Sequence, residues 1–416
     1  MSTLPDTSDV ARIAEAAARA SYGKLVAILA HRTRDIAAAE DALSDALVSA
    51  LATWPRRGVP ENPEAWLLTA ARNLLKNSAR AGHVRRAAEP EILLRNLPDE
   101  EENGFPDRRL RLLFVCAHPA IHPAVHTPLM LQSVLGIDAT RIAHAFLVEP
   151  AAMSQRLVRA KARIRDAGLR FELPGQEDLE ERLAAVLDAV YAAFGRGWED
   201  LDQPETPDAL TGEAIWLARL LVALMPGEPE PKGLLALMLY CSARRPARRD
   251  AAGNFVPLDQ QDARLWNRNM IVEAEGLLTQ AAQAGRFGRF QCEAAIQSVH
   301  VQRPITGQVN FDALVILYNL LVQHTDNIGA RIGRAVVLAE RGGTAEALAE
   351  LDALKSERVA RHQPYWVARA RVALLADHLE EAESTLETAL SLTQDPALRA
   401  HLQGIHRQVK RRRAPI

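Results

Sequence analysis

The sequence predicts an all-α protein. Its composition is rich in Ala, Leu, Arg and Glu, which favour helices, while aromatic residues make up only 5% of the 416 residues. Apolar residues recur at helical spacing through long segments such as YGKLVAILAHRTRDIAAAEDALSDALVSALATW. Stretches such as WPRRGVPENPEAW supply the Pro and Gly that separate one helix from the next.

The composition also limits the class of protein. The formal net charge is -2 at pH 7, so any surface that binds a polyanion must be local. Three widely spaced cysteines favour a reducing compartment over a disulfide framework. The N-terminus lacks the pattern of a signal peptide, and the apolar stretch AIWLARLLVALM is too short to span a bilayer. We therefore expect a cytoplasmic protein with no membrane segment.

The first predicted domain covers residues 1–90 and holds three or four helices. Asn62 is expected to cap a helix that has Pro63 in its first turn. An acidic linker, residues 91–106, follows and contains the segment LPDEEENGFP. Its charge, Pro and Gly are typical of a boundary between domains.

The second predicted domain, residues 107–172, ends in a short helix, a turn and a longer basic helix. Asp138 can cap the short helix, and Pro150 stands at the favoured first position of the longer one. The predicted buried stripe of the longer helix is Met153, Leu157, Ala160 and Ile164.

This pair of helices is a candidate helix-turn-helix. Such a motif sets the N-terminal part of its second helix against base edges and nearby cations against phosphates. The candidate base readers are Ser154, Gln155 and Arg156, and the candidate phosphate contacts are Arg159, Lys161 and Arg163. Taken alone, the stretch fits equally well a solvated basic face on an ordinary helical hairpin.

A second basic stripe lies in the first domain. Arg72, Lys76 and Arg80 recur every four residues, with Asn73 and Asn77 beside them. This spacing places the cations on one helical face, where they can follow a phosphate backbone. Two basic surfaces joined by an acidic linker predict a protein that reads two separated DNA elements.

The segment CAHPAIHPAVH raises the possibility of a metal site. Its possible ligands are Cys116, His118, His122 and His126. Pro119 and Pro123 interrupt the helix that would align these side chains, so we interpret them as structural. The sequence shows no phosphate-binding loop, serine elbow or catalytic His-Glu pair. It predicts no catalytic residue, metal or cofactor, and we do not expect an enzyme.

The remaining chain is predicted to be a helical extension, residues 180–300, followed by repeats over 301–406. Small and apolar residues recur at a constant offset of 35: Ala335, Ala347, Leu351 and Leu354 are followed by Ala370, Ala382, Leu386 and Ala389. This period is typical of tetratricopeptide-like helix hairpins.

Two charged segments of the extension have structural interpretations. We expect ARRPARRDAAGNF to be ordered by ion pairs with nearby acids such as Asp250, Asp259 and Asp262. We expect the basic tail, residues 407–416, to be disordered and solvated.

Several motifs together resemble a known family. They are AEDALSDAL, GVPENPEAWLLTAARN, RLRLLFVCAHPAI, AHAFLVEPAAMSQRLVRAKARIRDAG, LLALMLYCSARRPARRDAAG and QDARLW. The chain is similar to extracytoplasmic-function sigma factors of the sigma-70 family, in the group with a long C-terminal extension of tetratricopeptide-like repeats. The resemblance implies that residues 1–90 are region 2, which binds the β′ clamp helices of core RNA polymerase and the promoter -10 element. Residues 107–172 would be region 4, which binds the -35 element and the β flap.

The resemblance also assigns residues to these surfaces. The core polymerase-binding residues would be Asp35, Glu40, Asp41 and Asp45. The -10 contacts would be Arg72, Asn73, Lys76, Asn77 and Arg80, and the -35 contacts would lie in the helix that carries Gln155, Arg156 and Arg159. The sequence departs from the usual family residues at Ser44, Gln132 and Arg141. The extension is implied to regulate activity, with a protein or peptide as the ligand of its repeats.

Two other functions are compatible with the sequence. One is a helix-turn-helix regulator with an α-solenoid sensor, which would bind duplex DNA without core polymerase. The other is a repeat-based scaffold without a role in nucleic-acid binding, which would leave both basic stripes unexplained.

Overall fold

The computed structural model confirms the all-α prediction. It describes residues 7–83, 108–146, 148–175, 177–199, 207–325, 327–354 and 359–413. Over these ranges the chain forms helices and short turns, with one isolated β-bridge between Arg249 and Phe255 and no strand. The chain divides into two compact units, residues 1–217 and 218–416. The predicted linker, residues 91–106, lies outside the described residues.

The helices of the first unit are α1 (Thr7–Thr33), α2 (Ile36–Arg57), α3 (Pro63–His83), α4 (Arg108–Cys116), α5 (Pro123–Ser133), α6 (Ala139–Ala145), α7 (Pro150–Asp166), α8 (Leu179–Glu199) and the first part of α9 (Pro207–Leu224). Helices α1, α2 and α3 pack against one another. The α2–α3 contact includes buried Trp54, whose ring meets that of Trp66 edge-on at 5.5 Å. Asn62 caps α3 as predicted, accepting a hydrogen bond from the Ala65 amide at 3.0 Å.

The predicted short and long helices of the second domain are α6 and α7. Asp138 accepts a hydrogen bond from the Arg141 amide at 2.9 Å and caps α6, and Pro150 opens α7. All four residues of the predicted stripe are buried: Met153, Leu157, Ala160 and Ile164. Helical periodicity was therefore sufficient to orient α7.

Helix α8 belongs to the predicted extension, yet it packs on α4 and α5 inside the first unit. Arg182 donates a hydrogen bond to the Phe114 carbonyl at 2.8 Å, and its guanidinium lies 5.7 Å from the Phe114 ring centre. The division between units falls at 217/218, inside the predicted segment 180–300. The predicted domain boundaries stay predictions.

The second unit continues α9 and contains α10 (Pro229–Ala243), α11 (Arg268–Ala282), α12 (Arg289–Val301), α13 (Arg303–Thr306), α14 (Phe311–His324), α15 (Ile328–Glu340), α16 (Thr344–Asp352), α17 (Gln363–Leu375), α18 (Leu379–Leu392) and α19 (Pro396–Arg413). The arginine-rich segment ARRPARRDAAGNF, after α10, is ordered as expected. The ion pair at Arg249, however, is formed with an acid far along the chain and not with one of the nearby acids. Arg249 pairs with Asp395 at 2.8 Å, while Asp250 accepts hydrogen bonds that hold its own turn.

The internal repeat is a pair of helix hairpins. Helices α15 (Ile328–Glu340) and α17 (Gln363–Leu375) begin and end 35 residues apart, and so do the starts of α16 and α18. All eight residues of the predicted repeat are buried. Small side chains at these positions let paired helices approach closely. The hairpin prediction is confirmed.

The packing of these hairpins predicts a cost for added volume. Ala382 of α18 is fully buried, so Ala382→Leu should lower the free energy of unfolding of the second unit by about 1–3 kcal/mol. Chemical denaturation checks this value. The control is Ser384→Leu at an exposed position of the same helix, which should stay within about 0.5 kcal/mol of wild type. Equal effects of the two changes would contradict the packing.

The expectation of a disordered tail is wrong for residues 407–413, which complete α19. Val409 is buried, and the cations of this turn face acids near and within α18. Arg412 pairs with Asp377 at 2.6 Å, and Arg413 pairs with Glu383. A run of cations in a sequence is usually interpreted as a solvated segment. Here the acids of a neighbouring helix form ion pairs with it.

None of the described helices has the length and hydropathy needed to cross a membrane.

Candidate functional site

An exposed ridge runs along α2. Asp41, Ser44 and Asp45 are exposed there, as is Val48 with 64% of its surface accessible and Leu51 with 47%. These positions recur at helical spacing and share one face. Sequence reasoning selected the two acids but missed Val48 and Leu51, because an apolar residue in an amphipathic helix is usually assigned to the core. Exposed apolar residues that share one helical face with acids are typical of a protein-binding surface.

The other two predicted polymerase-binding acids are engaged within the first unit. Asp35 caps α2 by accepting a hydrogen bond from the Ala38 amide at 3.1 Å, and it lies 3.8 Å from Arg165. Glu40 accepts a hydrogen bond from Ser133 at 2.9 Å and pairs with Lys161. The structure thus separates exposed Asp41 and Asp45 from Asp35 and Glu40, whose carboxylates contact other parts of the unit.

The predicted stripe on α3 lies on one side of that helix. Asn73, Lys76 and Asn77 are exposed, and Arg72 is half-buried. Arg80 belongs to α3, but its side chain is outside the part of the chain that the structure describes. The amides offer donors and acceptors to base edges, and Lys76 offers a charge to phosphate.

Helix α7 presents its cations on two sides. Arg156, Arg159 and Arg163 are exposed and recur at spacings of three and four, so they share one face. Gln155 borders this face, and the Gln155 carbonyl accepts a hydrogen bond from Arg159 Nε at 3.2 Å. Ser154 is also exposed, next to Val158, an exposed apolar residue that the sequence reasoning did not select.

Lys161 differs from the other predicted cations of α7. Its side chain is 8% exposed and its amine pairs with Glu40 of α2. In this conformation the Lys161 amine is not available to phosphate. Its assignment to DNA binding stays a prediction, and it requires that the ion pair with Glu40 be broken.

The cysteine and histidine segment forms local contacts of the kind a structural role requires. Cys116 is fully buried, which raises the pKa of its thiol. His118 and His122 accept hydrogen bonds from the Ala120 and Ala124 amides at 3.0 and 3.2 Å. His126 Nε2 lies 2.9 Å from the Ile121 carbonyl oxygen.

A different trio has ligand atoms close enough to hold a metal in the described part of the chain. Atoms of Glu383, Glu387 and His406 lie within 4.8 Å of one another. Lys410 lies 3.6 Å from Glu383 and 3.8 Å from Glu387, and Arg413 also pairs with Glu383. These cations already compensate the carboxylates, so the trio fits an ion-pair cluster between α18 and α19.

His31 introduces a titratable group where α1 packs on α4. Burial lowers its pKa below the ordinary value of 6.5, and Arg108 and Arg111 of α4 lower it further. The Phe171 backbone and Glu172 act in the opposite direction but do not reverse the shift. Since the unfolded chain takes up this proton more readily, the stability from neutral His31 is fully present above pH about 6.5 and decreases below it.

We therefore expect α1 and α4 to lose amide protection on acidification from about pH 7.5 to 5.5. Hydrogen exchange, corrected for intrinsic rates, checks this in wild type and in His31→Gln, where the loss should be smaller. His378→Gln, with a largely exposed imidazole, serves as the control. A loss of the same size in His31→Gln and wild type would show that His31 is not responsible.

Comparison with known proteins finds similarity to one protein over most of the chain and to two families over parts of it. The uncharacterized protein R00370 of Rhizobium meliloti (strain 1021) is 37% identical over 379 residues, which cover 89% of each chain. At that identity and coverage the two proteins belong to one family. Residues 18–86, which include all of α2 and α3, match sigma-70 region 2. The chain contains a sigma-70 region 2. The α2 ridge and the α3 stripe therefore lie in region 2, a match that implies core RNA polymerase and promoter DNA as partners.

Two further similarities concern the rest of the protein. Residues 182–282, from α8 to the end of α11, match a family of unknown function, DUF6596. Among solved structures, the chain is similar to yeast Tom70 with a TM-score of 0.36 and 12% identity, over 98% of this chain and 86% of that one. A TM-score this low does not establish a common fold.

Proposed function

We propose that the protein is an alternative sigma factor of the extracytoplasmic-function type, which directs core RNA polymerase to its promoters. The observation that carries this proposal is the match of residues 18–86 to region 2, combined with an exposed protein-binding ridge and an exposed polar stripe in that region. Polymerase supplies the catalysis, and this chain supplies promoter recognition.

The α2 ridge is the proposed contact with the β′ clamp helices. Val48 and Leu51 supply the apolar contact, while Asp41 and Asp45 supply the charge that selects and orients a basic partner. Ser44 lies between them and is also exposed. Asp35 and Glu40, also implied by the family resemblance, would join this contact only after their present partners are released.

The α3 stripe is the proposed contact with the -10 element. Promoter opening requires the capture of unstacked bases and of the backbone that carries them. Asn73 and Asn77 offer hydrogen bonds to base edges, and Arg72, Lys76 and Arg80 offer charge to phosphates. Exposure of the two amides and of Lys76 supports this assignment.

Helix α7 is the proposed -35 recognition helix of a region 4 helix-turn-helix, with a further contact to the β flap. Gln155 and Arg156 lie near its N-terminus, where such helices meet base edges. Arg159 and Arg163 follow on the same exposed face and would bind phosphates. Ser154 adds a hydroxyl in the first turn.

The helical extension is proposed to regulate this activity, with a protein or peptide as the ligand of its repeats. Two observations support a regulatory role. Helix α8, where the extension begins, is packed on α4 and α5, so a change in its position would reach the proposed region 4. The repeats also hold a groove of about 750 Å³ between α17, α18 and α19, lined by apolar residues such as Val367, Leu374 and Ile405.

Affinity for core polymerase tests the proposal. The full chain is immobilised and titrated with core enzyme from its own host, with and without a -10 single strand. We expect saturable binding to the core enzyme and capture of the strand only by the assembled complex. Binding of duplex DNA in the absence of any affinity for polymerase would favour the independent helix-turn-helix regulator.

A further inference from the structure

A cavity of about 330 Å³ lies in the second unit, among residues of α12, α13, α14, α15 and α17. Phe311, Val336 and Val337 give it apolar walls. Its volume is at the lower end of the range found for small-molecule sites. At about 30 Å³ for each atom of a molecule packed as in a liquid, it has room for about ten non-hydrogen atoms.

Three side chains that form hydrogen bonds line this cavity: His300, Arg303 and Tyr318. Among the described residues, neither the His300 ring nor the Tyr318 hydroxyl has a hydrogen-bond partner. The Tyr318 ring lies against Gly333, where an added Cβ would be 2.6 Å from the ring. Burial raises the pKa of Tyr318 to about 12, so its hydroxyl keeps its proton and can donate to a ligand.

Arg303 brings a positive charge to the cavity. Its guanidinium donates hydrogen bonds to the backbone carbonyl oxygens of Asp259 and Gln261. In the part of the chain that the structure describes, it forms no ion pair with a carboxylate. A partly buried cation that has only neutral acceptors favours an anion as a further partner.

Arg244, which directly follows α10, adds a second charge of this kind. It is buried, and it donates to the Tyr240 carbonyl oxygen at 3.3 Å and to the amide oxygen of Gln297. Burial lowers the pKa of His300 to about 4, and the charges of Arg244 and Arg303 add to this decrease. His300 is therefore neutral at pH 7 and lies in a positive potential.

The acidic residues of the cavity do not cancel this potential. Glu340 is paired with Arg371 at 2.8 Å. Burial lowers the pKa of His401, and the exposed Asp259 carboxylate partly offsets that shift. No carboxylate contributes to the shift of the pKa of His300 among the described residues. The Asp259 charge thus acts toward His401, and the surroundings of His300 stay positive.

We propose that this cavity binds a small apolar carboxylate of about ten non-hydrogen atoms, with its carboxylate held by Arg303 and His300. The apolar body lies against Phe311 and Val336, and the Tyr318 hydroxyl donates a further hydrogen bond. Burial of the body provides affinity, and the positive charge provides selectivity for an anion. The site goes beyond the proposed function, because neither polymerase nor DNA takes part in the binding.

The test uses compounds of nearly equal size that differ in charge. They are 3-phenylpropionate, its neutral amide 3-phenylpropanamide and the cation 3-phenylpropylammonium, and acetate represents the carboxylate without an apolar body. Each compound is titrated into the full chain by calorimetry at neutral pH and fixed salt. We expect saturable binding of 3-phenylpropionate, at least tenfold tighter than that of the amide, and no measurable binding of the ammonium or of acetate.

Two variants locate the bound anion. Arg303→Gln removes the charge and should reduce the preference for the acid over the amide to about twofold or less. Arg399→Gln is its control, since Arg399 also donates to a carbonyl oxygen, that of Thr393 at 2.6 Å, and lies outside the cavity. Val336→Phe fills the cavity and should abolish saturable binding. Val322→Phe, a partly buried position of α14 outside the cavity, should not.

Circular dichroism checks that each variant is folded, and either variant alone decides the location. Absence of saturable 3-phenylpropionate binding to the wild-type chain, or equal affinity for acid and amide, would overturn the proposal. A full preference for the acid in folded Arg303→Gln would contradict the placement of the carboxylate. Binding of wild-type strength in folded Val336→Phe would show that the anion binds elsewhere on the protein.

Discussion

Val48→Asp is expected to weaken binding of the chain to core RNA polymerase by about 30- to 100-fold. Val48 is 64% exposed on the α2 ridge, between Asp45 and Leu51, so it is positioned to be buried by a partner. The lost valine contacts account for only part of the expected change, and most of it comes from the desolvation cost of burying a carboxylate in the valine's place. Titration of core polymerase against the full-length variant measures the change.

The control for this experiment is Val272→Asp. Val272 is 72% exposed on α11, in the second unit, so it has comparable exposure in another helix. Both substitutions should leave the melting temperature nearly unchanged, because exposed positions contribute little to stability. Equal polymerase affinity in the Val48→Asp and Val272→Asp variants would contradict the assignment of the α2 ridge to the polymerase interface.

Arg156→Ala should reduce binding to the -35 element by about 10- to 100-fold. Arg156 is exposed near the N-terminus of α7, on the same face as Arg159 and Arg163. Loss of a bidentate contact with a base costs about 1–3 kcal/mol of discrimination. The measurement is competition between a promoter duplex and the same duplex with a scrambled -35 element, in the presence of core polymerase at fixed salt.

Two controls separate the possible roles of Arg156. Arg163→Ala should weaken binding to both duplexes alike, as a phosphate contact does, whereas Arg156→Ala should weaken only the promoter duplex. Arg268→Ala, an exposed arginine at the start of α11, should change neither. An unchanged preference for the promoter duplex in Arg156→Ala would contradict its assignment as a base reader.

Local features of this protein could be predicted from sequence because each depends on neighbours along the chain. The buried face of α7 follows from the spacing of Met153, Leu157, Ala160 and Ile164. The caps at Asn62 and Asp138 follow from side chains that satisfy free amides at the start of a helix. The 35-residue repeat predicted which small residues lie between paired helices.

Contacts between distant residues could not be predicted in the same way. Glu40 and Lys161 are 121 positions apart, and each reads in sequence as an exposed charge on an amphipathic helix. Arg249 and Asp395, 146 positions apart, are a similar case. The exposure of Val48 was missed for a different reason. The hydrophobic pattern of a sequence does not distinguish an exposed valine from one in the core.

The most direct test of the central proposal is run-off transcription with purified chain and core RNA polymerase from its own host. The template carries a candidate promoter, and the Arg156→Ala variant is run beside the wild type. We predict new transcripts that require the chain, start at a fixed position and decrease strongly with Arg156→Ala. Absence of transcripts from a chain that still binds the promoter duplex would contradict a sigma-factor function and identify a DNA-binding regulator that acts without polymerase.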